Sequence, residues 1–296
     1  MALVATLIAH PSNPVLDGKL GERAAQAVNA SGLYWLADGI ACDVALRNEA
    51  EAAASEAGLR AAIGDLPIDV VVQDVETRRK KLLIADMDST MIGQECIDEL
   101  ADVVGLKEKV SAITARAMNG EIAFEPALRE RVALLKGLPI GVVDEVIEKR
   151  ITLTSGGPTL IATMRAKGFH TALVSGGFTV FTSRIAAMLG FHEDRANILL
   201  EQDGVLTGDV AEPILGKQAK VDALLDIAAL LGISPQDAMA VGDGANDLGM
   251  IGIAGAGVAL HAKPSVAAQA KIRIDHADLT ALLYIQGYRK TDFVTP

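Results

Sequence analysis

Two aspartates one residue apart, Asp86 and Asp88, close the segment Lys81-Leu-Leu-Ile-Ala-Asp-Met-Asp-Ser-Thr90. A carboxylate can attack phosphorus and later be freed by water, which splits one hard displacement into two easier ones. Asp86 is the candidate nucleophile. Residues two apart on an extended chain face the same side, so Asp88 can protonate the leaving oxygen and then deprotonate the attacking water. Carboxylates are also the hard oxygen ligands that Mg²⁺ takes together with waters and a substrate phosphate. A bare Asp-x-Asp fits a strand followed by an acidic turn better than a site. Asp-x-Asp-x-Thr after four apolar residues is more specific.

A second acidic strand end lies far downstream in Ala238-Met-Ala-Val-Gly-Asp-Gly-Ala-Asn-Asp247. Gly242 and Gly244 let the backbone approach closely, while Asp243 and Asp247 can hold a metal directly or through water. Between the two, Ser175-Gly176-Gly177 ends a short apolar run and precedes a helical pattern. That is either a tight turn or an anion site made by crowded backbone N–H groups at a helix start. Lys217 and Lys220 open another helical stretch, and Lys220 is the better candidate for the cation a phosphoryl group needs. Glu95 and Arg131 are isolated charges on helices, and by residue type alone they read as solvent-facing. Met118 and Phe124 read as apolar packing.

The elements that must position these groups follow from the pattern. Leu82 to Ala85 is short and continuously apolar, as in a strand buried on both faces of a parallel sheet, and ligands bind at the carboxyl edge of such sheets. Four helical stretches follow, at Cys96 to Val104, Lys107 to Met118, Glu125 to Leu135 and Val142 to Lys149. They form an insert of about residues 92–152, expected as a cap over the first strand's tip. The sheet resumes at His170, and Asn197 to Ala211 reads as a β-hairpin around Asp203-Gly204, a flap of about residues 196–212 projecting from the core. The fold expected for residues 77–296 is α/β, a doubly wound parallel sheet with a helical cap. Residues 1–76 run βαββαβ, with an Asp38-Gly39 hairpin suited to a type I′ turn, and read as a separate small α+β unit of ferredoxin-like pattern. The basic run Glu76-Thr-Arg-Arg-Lys-Lys81 reads as a solvated linker between the two.

Composition narrows the functions. The chain has 296 residues and a net charge of −11. Such an acidic balance disfavours nucleic acid, whose phosphates need clustered Lys and Arg. No apolar run approaches the ~18 residues of a membrane span, and the first residues lack the basic segment of a secretory signal. Two cysteines make neither a disulfide framework nor a thiolate metal site, so a cytoplasmic location is expected.

With these motifs in this order, roughly residues 81–290 resemble the phosphoserine phosphatases of the haloacid dehalogenase superfamily. The resemblance implies that Asp86 is phosphorylated, that Asp88 is the acid and base, and that Mg²⁺ sits on the Asp86 carboxylate, the Asp88 backbone oxygen and Asp243. Asp247 falls in the outer shell. In place of the surface-charge reading it puts Glu95 on the substrate's ammonium and Arg131 on its carboxylate. It puts Ser175, Gly176, Lys220 and Asn246 on the phosphate and substrate, with Met118 and Phe124 as an apolar wall. The implied reaction is hydrolysis of O-phospho-L-serine to L-serine and phosphate, the last step of serine biosynthesis. Residues 1–76 resemble amino-acid-binding ACT domains, with a regulatory or a merely dimerising role, so a homodimer is compatible. The expected partner is a small molecule, with no nucleic acid and no membrane. Two other readings stay open: a phosphatase or phosphotransferase for another small phosphorylated metabolite, and a non-catalytic amino-acid sensor.

Overall fold

The computed structural model describes residues 2–47, 51–118 and 121–296, apart from the side chain of Met118. Four strands, β1 (Leu3–Ala9), β2 (Gly32–Ala37), β3 (Ala41–Ala45) and β4 (Ile68–Asp74), form an antiparallel sheet in the order β2-β3-β1-β4. Two helices, α1 (Gly18–Ala27) and α2 (Ala52–Ile63), lie on one face. The period-two alternation of a strand decides which residues meet them. Ala5 and Leu7 of β1 and Ile68 and Val70 of β4 join the core beneath the helices. Ile8 and Val71 point the other way, into the core of the larger part of the chain. The expected type I′ turn at Asp38-Gly39 is corrected, because only Gly39 of that pair has a positive φ, 72°. The strands there carry a register slip between Trp35 and Ala37.

The solvated linker is also corrected. Arg78 Nη1 lies 2.8 Å from Asp43 Oδ2, the Arg79 guanidinium stands 4.9 Å over the Tyr288 ring, and Lys80 is buried, donating to the Gln236 carbonyl at 2.8 Å. Asp69 on β4 fastens the same joint, accepting N–H bonds from Asp275 at 2.8 Å and Ala277 at 2.8 Å. The partners of this basic run are remote in sequence, so local composition cannot reveal them.

Beyond the joint run β5 (Leu82–Ala85), an irregular turn at Met87–Met91, α3 (Cys96–Val103), α4 (Lys107–Met118), α5 (Phe124–Ala133), α6 (Val142–Arg150), α7 (Gly157–Ala166), β6 (His170–Phe178) and α8 (Thr179–Leu189). Then come β7 (Glu193–Asn197), β8 (Leu199–Gln202), β9 (Val205–Val210), α9 (Lys217–Leu230), β10 (Ala238–Gly242), α10 (Leu248–Ile253), β11 (Ala256–Leu260), α11 (Pro264–Ala267), β12 (Ile272–Ile274) and α12 (Ala281–Tyr284). Six of these strands make a parallel sheet in the order β12-β11-β10-β5-β6-β7. Leu82, Ile84, Ala238 and Ala240 pack on α9 and α10. Leu83, Ala85, Met239 and Val241 face α7, α8 and the N-terminal sheet. Both faces are covered, which is why these strands read as unbroken apolar runs. The edge strand β7, Glu-Asp-Arg-Ala-Asn, has no such run and is invisible to that criterion.

Helices α3 to α6 form the insert. Its two connections to the core are tied to each other by a bridge between Ile92 and Leu153 and by Thr152 N–H donating to Gln94 Oε1 at 2.8 Å. The β8–β9 hairpin turns through Asp203 (φ 53°) and Gly204 (φ 79°), as a type I′ turn requires. It does not project as a free flap. The Leu206 carbonyl accepts from Gly137 N–H at 2.8 Å and Leu206 N–H donates to the Leu138 carbonyl at 2.9 Å, so hairpin and insert form one body. Buried Leu206 and Val210, apolar residues that a projecting flap would expose, give the reason.

Candidate active site

Strand order in the parallel sheet reverses between β5 and β10: β6 and β7 extend one way from β5, and β10, β11 and β12 the other. A crevice opens outside the carboxyl ends of strands at such a point. The register pairs Ala85 with Val241, so Asp86, one residue on, and Asp243, two residues on, emerge at neighbouring strand tips. Carboxylate oxygens of Asp86, Asp243 and Asp247 all lie within 4.8 Å of one another. Gly242 makes this possible, since a Cβ there would stand 2.3 Å from Asp247 Cγ.

Lys220, 2% exposed, occupies the centre. Its Nζ lies 2.6 Å from Asp86 Oδ1 and 2.6 Å from Asp247 Oδ1. Burial alone would lower the pKa of this ammonium, but the two carboxylates more than offset it and raise it above the ordinary lysine value. Asp86 Oδ1 also accepts from Met87 N–H at 2.8 Å, while Asp86 Oδ2 has, among the described residues, only Asn246 Nδ2 at 3.5 Å. Asp247 has both oxygens engaged, the second by Gly244 N–H at 3.0 Å.

Asp88 follows on an irregular turn in which Ser89 takes a positive φ of 54°. Its Oδ1 accepts the Cys96 N–H at the start of α3 at 3.0 Å, and its Oδ2 the Ser175 hydroxyl at 3.4 Å. Burial, then the charges of Glu95 and Asp86, push its pKa up to about 7. A carboxyl group so tuned can exist in either protonation state near neutral pH.

The Ser-Gly-Gly segment is not the turn before a helix that the sequence suggested. Strand β6 runs on through it to Phe178, with a register irregularity after Val174, and α8 starts only at Thr179. Ser175 accepts the Gly177 N–H at 2.9 Å, and buried Asn197 holds the neighbouring backbone. Asn197 Nδ2 donates to the Gly176 carbonyl at 2.9 Å and to the Leu215 carbonyl at 3.1 Å, and its Oδ1 accepts Leu215 N–H at 2.7 Å. It thereby ties the Ser175 segment to the loop that leads into Lys220. Asn197→Ala leaves these backbone groups unpaired, and we expect unfolding free energy to fall by about 1–3 kcal/mol in denaturant titrations.

From the cap, Phe124 reaches down so that its ring lies 3.6 Å from where a Gly176 Cβ would stand. Ser89 Oγ donates to Glu95 Oε1 at 2.7 Å. Arg131 is half-buried on α5, and among the described residues no carboxylate lies within 4.0 Å of it. Met118 ends α4, and its side chain lies outside the described residues. Sequence reasoning missed several supporting groups. Buried Thr90 donates to Asp243 Oδ1 at 3.0 Å, which joins the two acidic motifs. Its signal was the Thr of Asp-x-Asp-x-Thr, to which no role had been attached. Ser89, the Cys96 N–H and Asn197 carried no signal.

Three acids, with the Lys220 ammonium between two of them and Lys263 acting on Asp243 only through space, leave excess negative charge in a mostly buried cluster among the described residues, a costly arrangement without a further cation. Asp243 registers the strain. Burial, then Asp86, push its pKa up to about 6. The donor set is all oxygen, so a hard divalent ion fits it. Asp86 and Asp243 have oxygen capacity to spare, whereas Asp247 is committed to Lys220 and Gly244.

Residues 83–252 match the haloacid dehalogenase-like hydrolase family, and the chain belongs to it. Its relatives narrow the class further. The chain is 45% identical over 223 residues to a phosphoserine phosphatase of a Polaromonas species, covering 74% of this chain and 94% of that protein. A crystal structure of a HAD family hydrolase from Salmonella enterica serovar Typhi superposes with a TM-score of 0.85 at 31% identity, covering 96% of this chain and 98% of that one. A phospho-aspartyl intermediate analogue of a phosphoserine phosphatase gives 0.65 at 44% identity over 70% of this chain and 98% of that one.

Proposed function

We propose that this protein is a phosphoserine phosphatase, which hydrolyses O-phospho-L-serine to L-serine and phosphate and so completes serine synthesis. The observation that carries the reading is the Asp86–Lys220–Asp247 cluster with Asp243 beside it, at the tips of two adjacent strands under a cap that brings Arg131 and Glu95. Asp86 attacks phosphorus, the ester P–O bond breaks, and Asp88 gives its proton to the seryl oxygen. Asp88 then takes a proton from water, which attacks the phospho-aspartate, releases phosphate and restores Asp86. Lys220 and Asn246 neutralise and orient the phosphoryl oxygens, and Ser175 and the Gly176 backbone bind them from the β6 side. Mg²⁺ would be held by Asp86, Asp243 and the backbone oxygen of Asp88, and when bound it would supply further positive charge to the phosphoryl group.

The substrate is a small zwitterion with a phosphate. Arg131 takes its carboxylate, Glu95 its ammonium, and Phe124 with Met118 closes the apolar side. Arg131→Met removes a charged pair formed in a part-buried pocket. KM for O-phospho-L-serine is expected to rise by about 30-fold or more, while O-phosphoethanolamine, which lacks the carboxylate, changes little. Parallel steady-state assays on the two compounds read this directly.

The raised pKa of Asp88 has its own consequence. An acid whose pKa is near 7 loses its proton as pH rises through that value. kcat/KM for O-phospho-L-serine should therefore decline above about pH 7, whereas p-nitrophenyl phosphate, whose leaving group needs no proton, should show a flatter profile. Matching declines for both would remove Asp88 as the acid. The direct test of the whole reading is phosphate release from O-phospho-L-serine with and without magnesium, beside a panel of sugar phosphates. Equal rates on the sugars would overturn it.

A further inference from the structure

Arg131 is set by two hydrogen bonds to neutral oxygens. Its Nε donates to the Ala127 carbonyl one turn earlier on α5 at 3.2 Å, and its Nη1 donates to Thr114 Oγ1 on α4 at 3.3 Å. Thr114 gives its own hydroxyl proton to the Val110 carbonyl at 3.1 Å, so its lone pairs face the guanidinium. The two helices are rigidly matched here. Val110 and Ile113 of α4 are buried, as is Val132 of α5, and Arg116 Nη1 reaches Glu130 Oε1 across the pair at 3.3 Å.

The neutrality of the acceptor is the telling point. Asp98, Glu95 and Asp88 all act on the Arg131 charge through space, yet none is bonded to it among the described residues. A carboxylate acceptor would cancel the charge that an anionic ligand group needs. A hydroxyl fixes the guanidinium's direction and leaves its charge uncancelled, and it spares the ligand the entropy of ordering a long side chain.

We infer that Thr114 is a positioning residue for Arg131 and thereby determines specificity for the substrate's carboxylate. This rests on the phosphoserine reading given above. Without Thr114 the guanidinium is free to swing toward Asp98 or Glu95, and the carboxylate must compete with them.

The test compares wild type, Thr114→Val and Thr114→Ser on O-phospho-L-serine and O-phosphoethanolamine. The valine variant should raise KM for O-phospho-L-serine about three- to tenfold with kcat within about twofold, leave KM for O-phosphoethanolamine unchanged, and be rescued by serine. Equal changes on both substrates, no change on either, or a serine variant as poor as the valine one would overturn the inference. If the valine variant melts early, the pair is measured as a cycle with Arg131→Met. Thr114→Val should add nothing in that background, and a further rise in KM there counts against coupling. Failure of the phosphoserine reading itself looks different: the wild type would then not distinguish the two substrates.

Discussion

Asp86→Asn lowers turnover of O-phospho-L-serine by at least about 10⁴-fold, since an amide cannot form the covalent intermediate and the remaining groups supply only binding and charge. No acid-stable label should appear on this variant after mixing with ³²P-labelled substrate, whereas a quenched wild-type reaction should carry it. The substitution also removes one of three clustered carboxylates, two of which share the Lys220 ammonium. The metal-free variant should therefore melt no earlier than the metal-free wild type, which separates loss of chemistry from loss of fold. Retained activity in a folded Asp86→Asn protein would remove the mechanism.

Lys220→Met is the second large effect, and it acts on both activity and stability. The buried lysine stands 2.6 Å from each of two buried carboxylates. Removing a preorganised charge from a transferring phosphoryl group costs on the order of 10²–10³ in kcat. Leaving two buried acids without their counter-ion costs about 3–5 kcal/mol. The loss should depend on pH. Asp243, with its folded value raised to about 6, takes up protons in the folded state that the unfolded chain does not hold. Its contribution to stability is thus present at low pH and lost as pH rises through that value. Asp247 behaves alike, pushed up to about 7 by burial and then Asp86 and held down by Lys220; losing Lys220 raises it further, so the variant's melting temperature should go on falling above about pH 7, where the wild type's levels off. Added magnesium should recover part of the loss in the wild type. A variant melting curve independent of pH would argue that Lys220 is not the cluster's counter-ion.

The parts of the fold legible in advance were those with a one-dimensional signature. Buried parallel strands are apolar throughout, so Leu82–Ala85 and Ala238–Gly242 are legible as strands, and Asp203-Gly204 marks its hairpin. Asp38-Gly39 carries a similar dipeptide and takes another turn, because a bulge in β2 shifts the pairing beside it. Strand β7 stayed hidden because a sheet edge tolerates charge.

For the site, the sequence by itself determined which chemical groups are available. Two acidic strand ends, a lysine at the start of a helix and a Ser-Gly-Gly segment define a phosphoryl-transfer set, because their residue types and local spacing are properties of single segments. Only the tertiary structure decided how those groups are charged and aimed. Lys220 bridges two acids 134 and 27 residues away from it, Thr90 fastens Asp243, Asn197 joins the end of β6 to the loop before α9, and the basic linker becomes a buried joint. Each of these depends on which remote segments the packed sheet and cap bring within hydrogen-bonding distance, and no local pattern encodes that distance.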